Sequence, residues 1–182
     1  MKTETNVMYV LRLALTLLII TGLVAAALAG VNSITAPRIA QLTYEKTQQA
    51  IEAVLPGGGE EVTDYPKTAL VSKVYKGENG YAVEVTPGGF DNTITMMVGV
   101  DNEGNVLGID IISHTETAGL GAVADAATAA GEAFRAQFAG QSGSVTVSKD
   151  GGQINAITGA TITSRAVCEG VNAALTCVAN MG

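Results

Sequence analysis

Hydrophobic and polar positions divide the chain into an apolar head and a patterned remainder. Leu13–Val31 runs 19 residues without a charge, interrupted only by Thr16, Thr21, Gly22 and Gly30. A helix needs about 20 such residues to cross a bilayer core. From Asn32 the spacing of Ile39, Leu42, Ile51 and Val54 predicts a further helix that starts at Pro37 and is ended by Pro56-Gly57-Gly58-Gly59. Short β-type runs follow. Ala69–Tyr75 and Tyr81–Thr86 flank the turn Gly77-Glu78-Asn79-Gly80, and Ile94–Val100 and Val106–Ser113 flank Asp101-Asn102-Glu103-Gly104. Val83 and Val85 alternate with Glu84, the mark of a half-buried strand.

Ala-rich Ala122–Phe138 reads as helix, with Gly131 dividing it, and Val145–Val147 as a short strand before a turn at Lys149-Asp150-Gly151-Gly152. Val167, Val171, Ala174, Leu175 and Val178 then recur at intervals of three and four, which predicts a closing amphipathic helix. The fold class expected is α+β: an N-terminal transmembrane helix, then one domain in which helices pack on an antiparallel sheet. The segments are residues 1–12 on the cytoplasmic side, 13–31 in the membrane, 32–60 as connecting helix and linker, and 61–182 as the domain.

The stretch entering the last helix carries the candidate chemistry. Ile154, Ala156 and Ile157 form a short apolar run that breaks at Thr158-Gly159-Ala160-Thr161, with Thr161, Thr163 and Ser164 as N-cap candidates. A Gly-containing turn here delivers hydroxyls to a helix N-terminus, whose unpaired N–H groups and dipole favour an anion such as phosphate. An ordinary strand–turn–helix with a threonine cap accounts for the same residues.

A second stretch, Ser113-His114-Thr115-Glu116-Thr117-Ala118-Gly119-Leu120-Gly121, holds the sole histidine, a carboxylate, hydroxyls and two glycines that allow close backbone approach. It has neither the third glycine nor the setting of a dinucleotide-binding loop. With no cysteine near it and no second histidine, it offers no hydrolytic triad, and no residue is assigned a catalytic role.

Charge narrows the partners. The formal net charge is −7, and the chain beyond residue 31 holds 8 bases against 16 acids, with no basic cluster. Nucleic acid and peripheral binding to anionic lipid are excluded as functions. Lys2 and Arg12 precede the apolar run and Arg38 alone lies close after it. The positive-inside rule therefore places the N-terminus in the cytoplasm and the domain outside. Ala27-Leu28-Ala29 resembles a signal-peptidase site, so a cleaved signal peptide is the competing reading, and either way the domain is exported. Cys168 and Cys177 fall nine residues apart in the last helix. That is roughly 13 Å along the axis, beyond the reach of a disulfide. No zinc, haem or iron–sulfur spacing is present, and no metal site is expected.

Thr158-Gly159-Ala160-Thr161 resembles the [Ser/Thr]-Gly-Ala-Thr signature of the FMN-binding domain shared by the G subunit of the Rnf electron-transport complex and the C subunit of the sodium-translocating NADH:quinone reductase. The His114–Gly121 stretch is similar to the family's His-x-Glu-Thr-Pro-Gly-Leu-Gly element, with Ala118 where proline is usual. Asn155 stands where the family usually has aspartate; it keeps an acceptor and loses the charge. The resemblance implies FMN held by a phosphoester on Thr161, with Thr158, Gly159, Ala160, Thr163 and Ser164 forming the phosphate turn. It also implies a flavin-lining loop of His114, Glu116, Thr117, Gly119 and Leu120, in which Glu116 and Thr117 make polar contacts and Leu120 packs on the ring.

By the same resemblance the chain is an electron relay in a membrane complex that moves electrons between ferredoxin and NAD and translocates an ion. Its partners would be the other membrane and iron–sulfur subunits, with a flavin transferase for maturation. The short chain with little inserted sequence favours the Rnf G subunit over the quinone-reductase C subunit. A flavin-free, membrane-anchored structural subunit is the remaining alternative.

Overall fold

A computed structural model describes residues 2–181, with side chains from Val7 onward; Met1 and Gly182, which end the first and last expected segments, lie outside the described residues. The chain divides into two compact units, residues 1–44 and 45–182.

Helix α1 runs unbroken from Lys2 to Val54 with Pro37 inside it. The break expected ahead of Pro37 does not occur. Proline removes one N–H and crowds the carbonyl four residues back, yet the helix carries on through it. Over residues 7–44 the large apolar side chains, among them Leu11, Leu17, Ile20, Leu23 and Leu28, are exposed. The helix is long and apolar enough to cross a membrane. Its threonines suit that environment because their hydroxyls are satisfied within the helix: Thr16 donates to the Arg12 carbonyl at 2.8 Å, and Thr21 to that of Leu17 at 2.8 Å.

In the second unit five antiparallel strands follow one another as a meander: β1 (Glu60–Val62), β2 (Val71–Lys76), β3 (Gly80–Val85), β4 (Thr95–Asp101) and β5 (Val106–Ser113). The β2–β3 and β4–β5 hairpins match the expected pairs of runs. Between β4 and β5 the Asp101 carboxylate accepts from the backbone N–H groups of Glu103 and Asn105, at 3.0 and 2.7 Å, and so fixes the turn. The unit ends in helix α2 (Ala129–Ala136) and helix α3 (Thr161–Ala179).

Both faces of the sheet are covered, which explains why β4 is a nearly continuous apolar run. Met96, Val98 and Val100 point into the main core with Val83, Val85 and Ile111, against Ala166, Val167, Val171 and Ala174 of α3. Met97 points the other way and joins Ala82, Tyr75 and Ile112 under Ile51, Val54 and Leu55 from the end of α1. Strands sandwiched in this way lose the apolar–polar alternation of a one-sided sheet.

Two expected elements are corrected. The Ala122–Phe138 helix is a 3₁₀ turn at Gly121–Ala124 and then α2, divided not at Gly131 but at Thr128, whose hydroxyl caps α2 by accepting from Gly131 N–H at 3.3 Å. Gly131 lies inside α2 because a side chain there would collide with the carbonyls of Val123 and Ala126. Val145–Val147 is not a sheet strand. Val147 makes one isolated parallel bridge to Ile154, and the backbone of Val145 is paired on both sides by the Asn172 amide at 2.8 Å.

Candidate functional site

Gly159 holds the turn into α3 in a left-handed conformation, φ +79°, where an L side chain is strained. Ala160 is the N-cap, with no side-chain hydrogen bond capping the helix. The expected threonine caps are absent because each hydroxyl is used elsewhere. Ser164 is fully buried; its hydroxyl donates to the Ala160 carbonyl at 2.9 Å and accepts from Ile157 N–H at 3.0 Å, locking the turn from beneath. The buried Thr163 hydroxyl donates to Glu116 Oε2. Thr161 is left as the first helical residue, half-buried and facing a pocket, beside first-turn N–H groups that have no partner within the helix.

That pocket has a volume of about 270 Å³ and is walled by the Glu116–Gly121 loop, the Gly159–Thr163 turn, Phe90 and Lys149. It falls just below the roughly 300–1,000 Å³ typical of small-ligand pockets, room for part of a nucleotide-sized group. Lys149 Nζ donates to Thr161 Oγ1 at 3.1 Å. Phe90, Leu120 and Ile162 line the pocket together with 66%, 43% and 50% of their surface exposed, a cluster of apolar groups open to a ligand. Hydroxyl, cation and helix amides at one end, with an apolar wall along the side, fit a phosphate joined to a flat aromatic ring.

Glu116 is the tie-piece of the site. It is 7% exposed; Oε1 accepts from the N–H groups of Phe90 and Asp91 at 2.8 and 3.2 Å, and Oε2 from Thr163. One carboxylate thus joins the loop after β3, the loop after β5 and the first turn of α3. Gly121 makes room for it, since a Cβ there would stand 2.6 Å from Thr163 Oγ1. Both Glu116 oxygens face this scaffold.

His114 braces the same loop from outside the pocket: Nδ1 accepts from Glu116 N–H at 3.2 Å and Nε2 faces Asp125 Oδ2 at 3.7 Å. Of the other sequence-expected residues, Thr117, Leu120, Gly159 and Ala160 line the pocket, whereas Gly119 and Thr158 border a neighbouring one against α2, of about 580 Å³. Asn155 is exposed and its backbone is held by Gln137, with N–H to Oε1 at 2.8 Å.

Two pocket residues, Phe90 and Lys149, lie outside both motifs, and Gly121 and Ile162 lie within the motif stretches without an assigned role. A signal existed for one: Lys149 is the sole base between residues 136 and 164 of an acidic domain.

A family model described as "FMN-binding domain" matches residues 89–176, a span that takes in every residue lining this pocket. The chain is 30% identical over 206 residues to the G subunit of the Na(+)-translocating ferredoxin:NAD(+) oxidoreductase complex of Acetobacterium woodii, covering 99% of this chain and 97% of that one. The chain belongs to the G-subunit family of ion-translocating oxidoreductase complexes. Another relative is the G subunit of the ion-translocating oxidoreductase complex of Methanosarcina acetivorans, 29% identical, with 90% of this chain and 92% of that one covered. The G subunit of the proton-translocating ferredoxin:NAD(+) oxidoreductase complex of Clostridium ljungdahlii is 40% identical over 99 residues, about half of each chain. Membership of the G-subunit family accords with both an FMN-binding domain and an N-terminal helix able to anchor it in a membrane.

Proposed function

We propose that this chain carries FMN as a phosphoester on Thr161 and relays electrons within a membrane complex that couples electron flow between ferredoxin and NAD to ion translocation. The observation that carries the reading is the Thr161 hydroxyl, set at a helix N-terminus in a pocket that also holds Lys149 and an apolar wall. The names of the relatives support the choice of complex, and their mixture of sodium and proton labels leaves the ion open.

FMN, when bound, supplies the redox chemistry. The chain's own residues hold and orient it. Thr161 provides the ester oxygen; Gly159 and Ala160 keep the turn slim beside it. The Thr163 and Ser164 hydroxyls fix the helix start whose amides face the phosphate. Leu120, Phe90 and Ile162 offer the ring an apolar surface, Thr117 a hydroxyl, and Glu116 with His114 keeps the loop in place. Gly119 and Thr158 shape the turn between the two pockets.

Residues 13–31 anchor the chain, 1–12 are cytoplasmic, 32–60 connect, and 61–182 form the FMN-binding domain outside the cytoplasm. A flavin transferase loads the domain, and the other membrane and iron–sulfur subunits of the complex exchange electrons with it. A covalent tether has a clear use there, since a flavin lost outside the cytoplasm is not readily replaced.

The test is cheap. Full-length chain co-produced with a flavin transferase should give a flavin fluorescence band on a denaturing gel, and Thr161→Val should give none. A dark wild-type band would point to a flavin-free structural role. Fluorescence persisting in Thr161→Val would move the attachment elsewhere.

A further inference from the structure

We propose that Lys149 is the cation that holds the flavin phosphate at Thr161, aimed there by the Asp150–Arg165 ion pair. The inference rests on Thr161 as the attachment point and adds to it a binding residue from a different part of the chain. Lys149 lies in the 3₁₀ turn Ser148–Asp150, twelve residues before Thr161, and its Nζ reaches Thr161 Oγ1 at 3.1 Å.

The turn is pinned on both sides of the lysine. Before it, Ser148 N–H donates to the Ile154 carbonyl at 2.8 Å and Ile154 N–H to the Thr146 carbonyl at 3.2 Å. After it, Asp150 accepts two hydrogen bonds from Arg165, from Nε and from Nη2, each at 2.7 Å. Arg165 is one helical turn beyond Thr161 on α3, so the pair ties the lysine's turn to the helix that presents the threonine. The same hydrogen bonds hold the Asp150 carboxyl below the usual carboxylate range and so keep the pair ionised.

A neutral threonine hydroxyl gains little from an ammonium group; a phosphodiester, with one negative charge, gains an ion pair in a site that also has helix amides. Lys149 is the sole cationic side chain lining this pocket, and Glu116, the one carboxylate there, is turned toward its own three donors.

The attachment step balances with a flavin dinucleotide as donor. The Thr161 oxygen attacks the flavin-side phosphorus, the new P–O bond forms as the P–O–P bond breaks, and a nucleoside monophosphate leaves with the electron pair. The hydroxyl proton goes to solvent, and nothing is oxidised or reduced. Lys149 neutralises charge on the phosphoryl oxygens and afterwards stays paired with the product.

The experiment uses full-length chain in detergent, a purified flavin transferase and flavin adenine dinucleotide, with attachment followed by intact mass. Lys149→Gln should slow attachment by about tenfold or more, the effect of losing one charge-assisted contact. Lys149→Arg should recover most of the rate and Asp150→Asn should fall between. Added NaCl should slow the wild type far more than Lys149→Gln, because screening removes an interaction the variant lacks. On loaded protein freed of transferase, the ³¹P resonance of the phosphodiester should move in Lys149→Gln.

Attachment by Lys149→Gln at the wild-type rate and salt dependence, while Thr161→Val takes up nothing, would overturn the lysine's role and leave the attachment site standing. A slow Lys149→Gln with an unmoved ³¹P resonance would also overturn it, assigning Lys149 to docking of the transferase. Full uptake by Thr161→Val would instead refute the attachment site on which the inference rests.

Discussion

Removing the Glu116 carboxylate should loosen the pocket before it unfolds the domain, and the three hydrogen bonds it accepts allow the cost to be apportioned. Phe90 and Asp91 sit on an exposed loop, so their N–H groups can turn to water when the acceptor is lost. Thr163 is 1% exposed, so its hydroxyl cannot. The cost therefore falls mainly on the Thr163 side, where an unsatisfied buried polar group costs about 1–3 kcal/mol. Adding the weaker loss at the loop, Glu116→Ala should cost about 3 kcal/mol. Glu116→Gln keeps an acceptor for the loop and presents an NH₂ that the rotated Thr163 hydroxyl can accept from. It gives up charge assistance only, about 1–2 kcal/mol.

Thr163→Val, which preserves shape and strands Oε2, should also cost about 1–3 kcal/mol, and combined with Glu116→Gln should cost less than the sum because both act on one contact. For a unit of this size 1 kcal/mol corresponds to roughly 3–5 °C in Tm. The assay is thermal melting of the full-length chain in detergent, read from the near-ultraviolet circular dichroism of its tyrosines, with amide hydrogen exchange at Phe90 and Asp91 as the local probe. Exchange there should quicken in Glu116→Ala and stay near wild type in Thr163→Val. A Glu116→Ala protein that melts within about 1–2 °C of wild type, with Phe90 and Asp91 still protected, would refute the tie-piece role.

Gly121→Ala should destabilise by about 1–3 kcal/mol through overpacking against Thr163 and Glu116, measured in the same melts; a neutral effect would mean the loop has slack. Cys168 and Cys177 should resist alkylation by iodoacetamide at pH 8 in the folded protein and react once it is denatured, scored by intact mass. Both are buried, and burial together with the nearby Asp150 charge pushes the Cys168 thiol up to about 11. Protease added to spheroplasts should digest the sheet domain and spare a fragment holding residues 13–31; full protection would reverse the proposed topology.

Much of the fold could be read from the chain because its signals are local. The β4–β5 hairpin is legible from Asp101-Asn102-Glu103-Gly104, whose aspartate supplies the turn's acceptors. The closing helix is legible from Val167, Val171, Ala174 and Val178, which all enter the core. What failed depended on distant parts of the chain. Thr163 and Ser164 look like caps, yet one hydroxyl serves a carboxylate 47 residues away and the other the turn beneath it. Gly131 looks like a helix breaker and is instead a contact demanded by Val123 and Ala126. Val145 alternates like a strand and is claimed by a side chain of α3. The two halves of the candidate site were each visible as motifs. Phe90 and Lys149, which complete its walls, carry no motif and are joined to it only by tertiary folding.

Trypsin cuts after Lys149 and Arg165, and so releases Asp150–Arg165 as one peptide that contains Thr158, Thr161, Thr163 and Ser164. Mass measurement of that peptide from full-length chain co-produced with a flavin transferase tests the central claim directly. The expected mass is that of the peptide plus FMN less water, with fragment ions placing the whole addition on Thr161. An unmodified peptide, or fragments that put the flavin on Thr158 or Thr163, would contradict it.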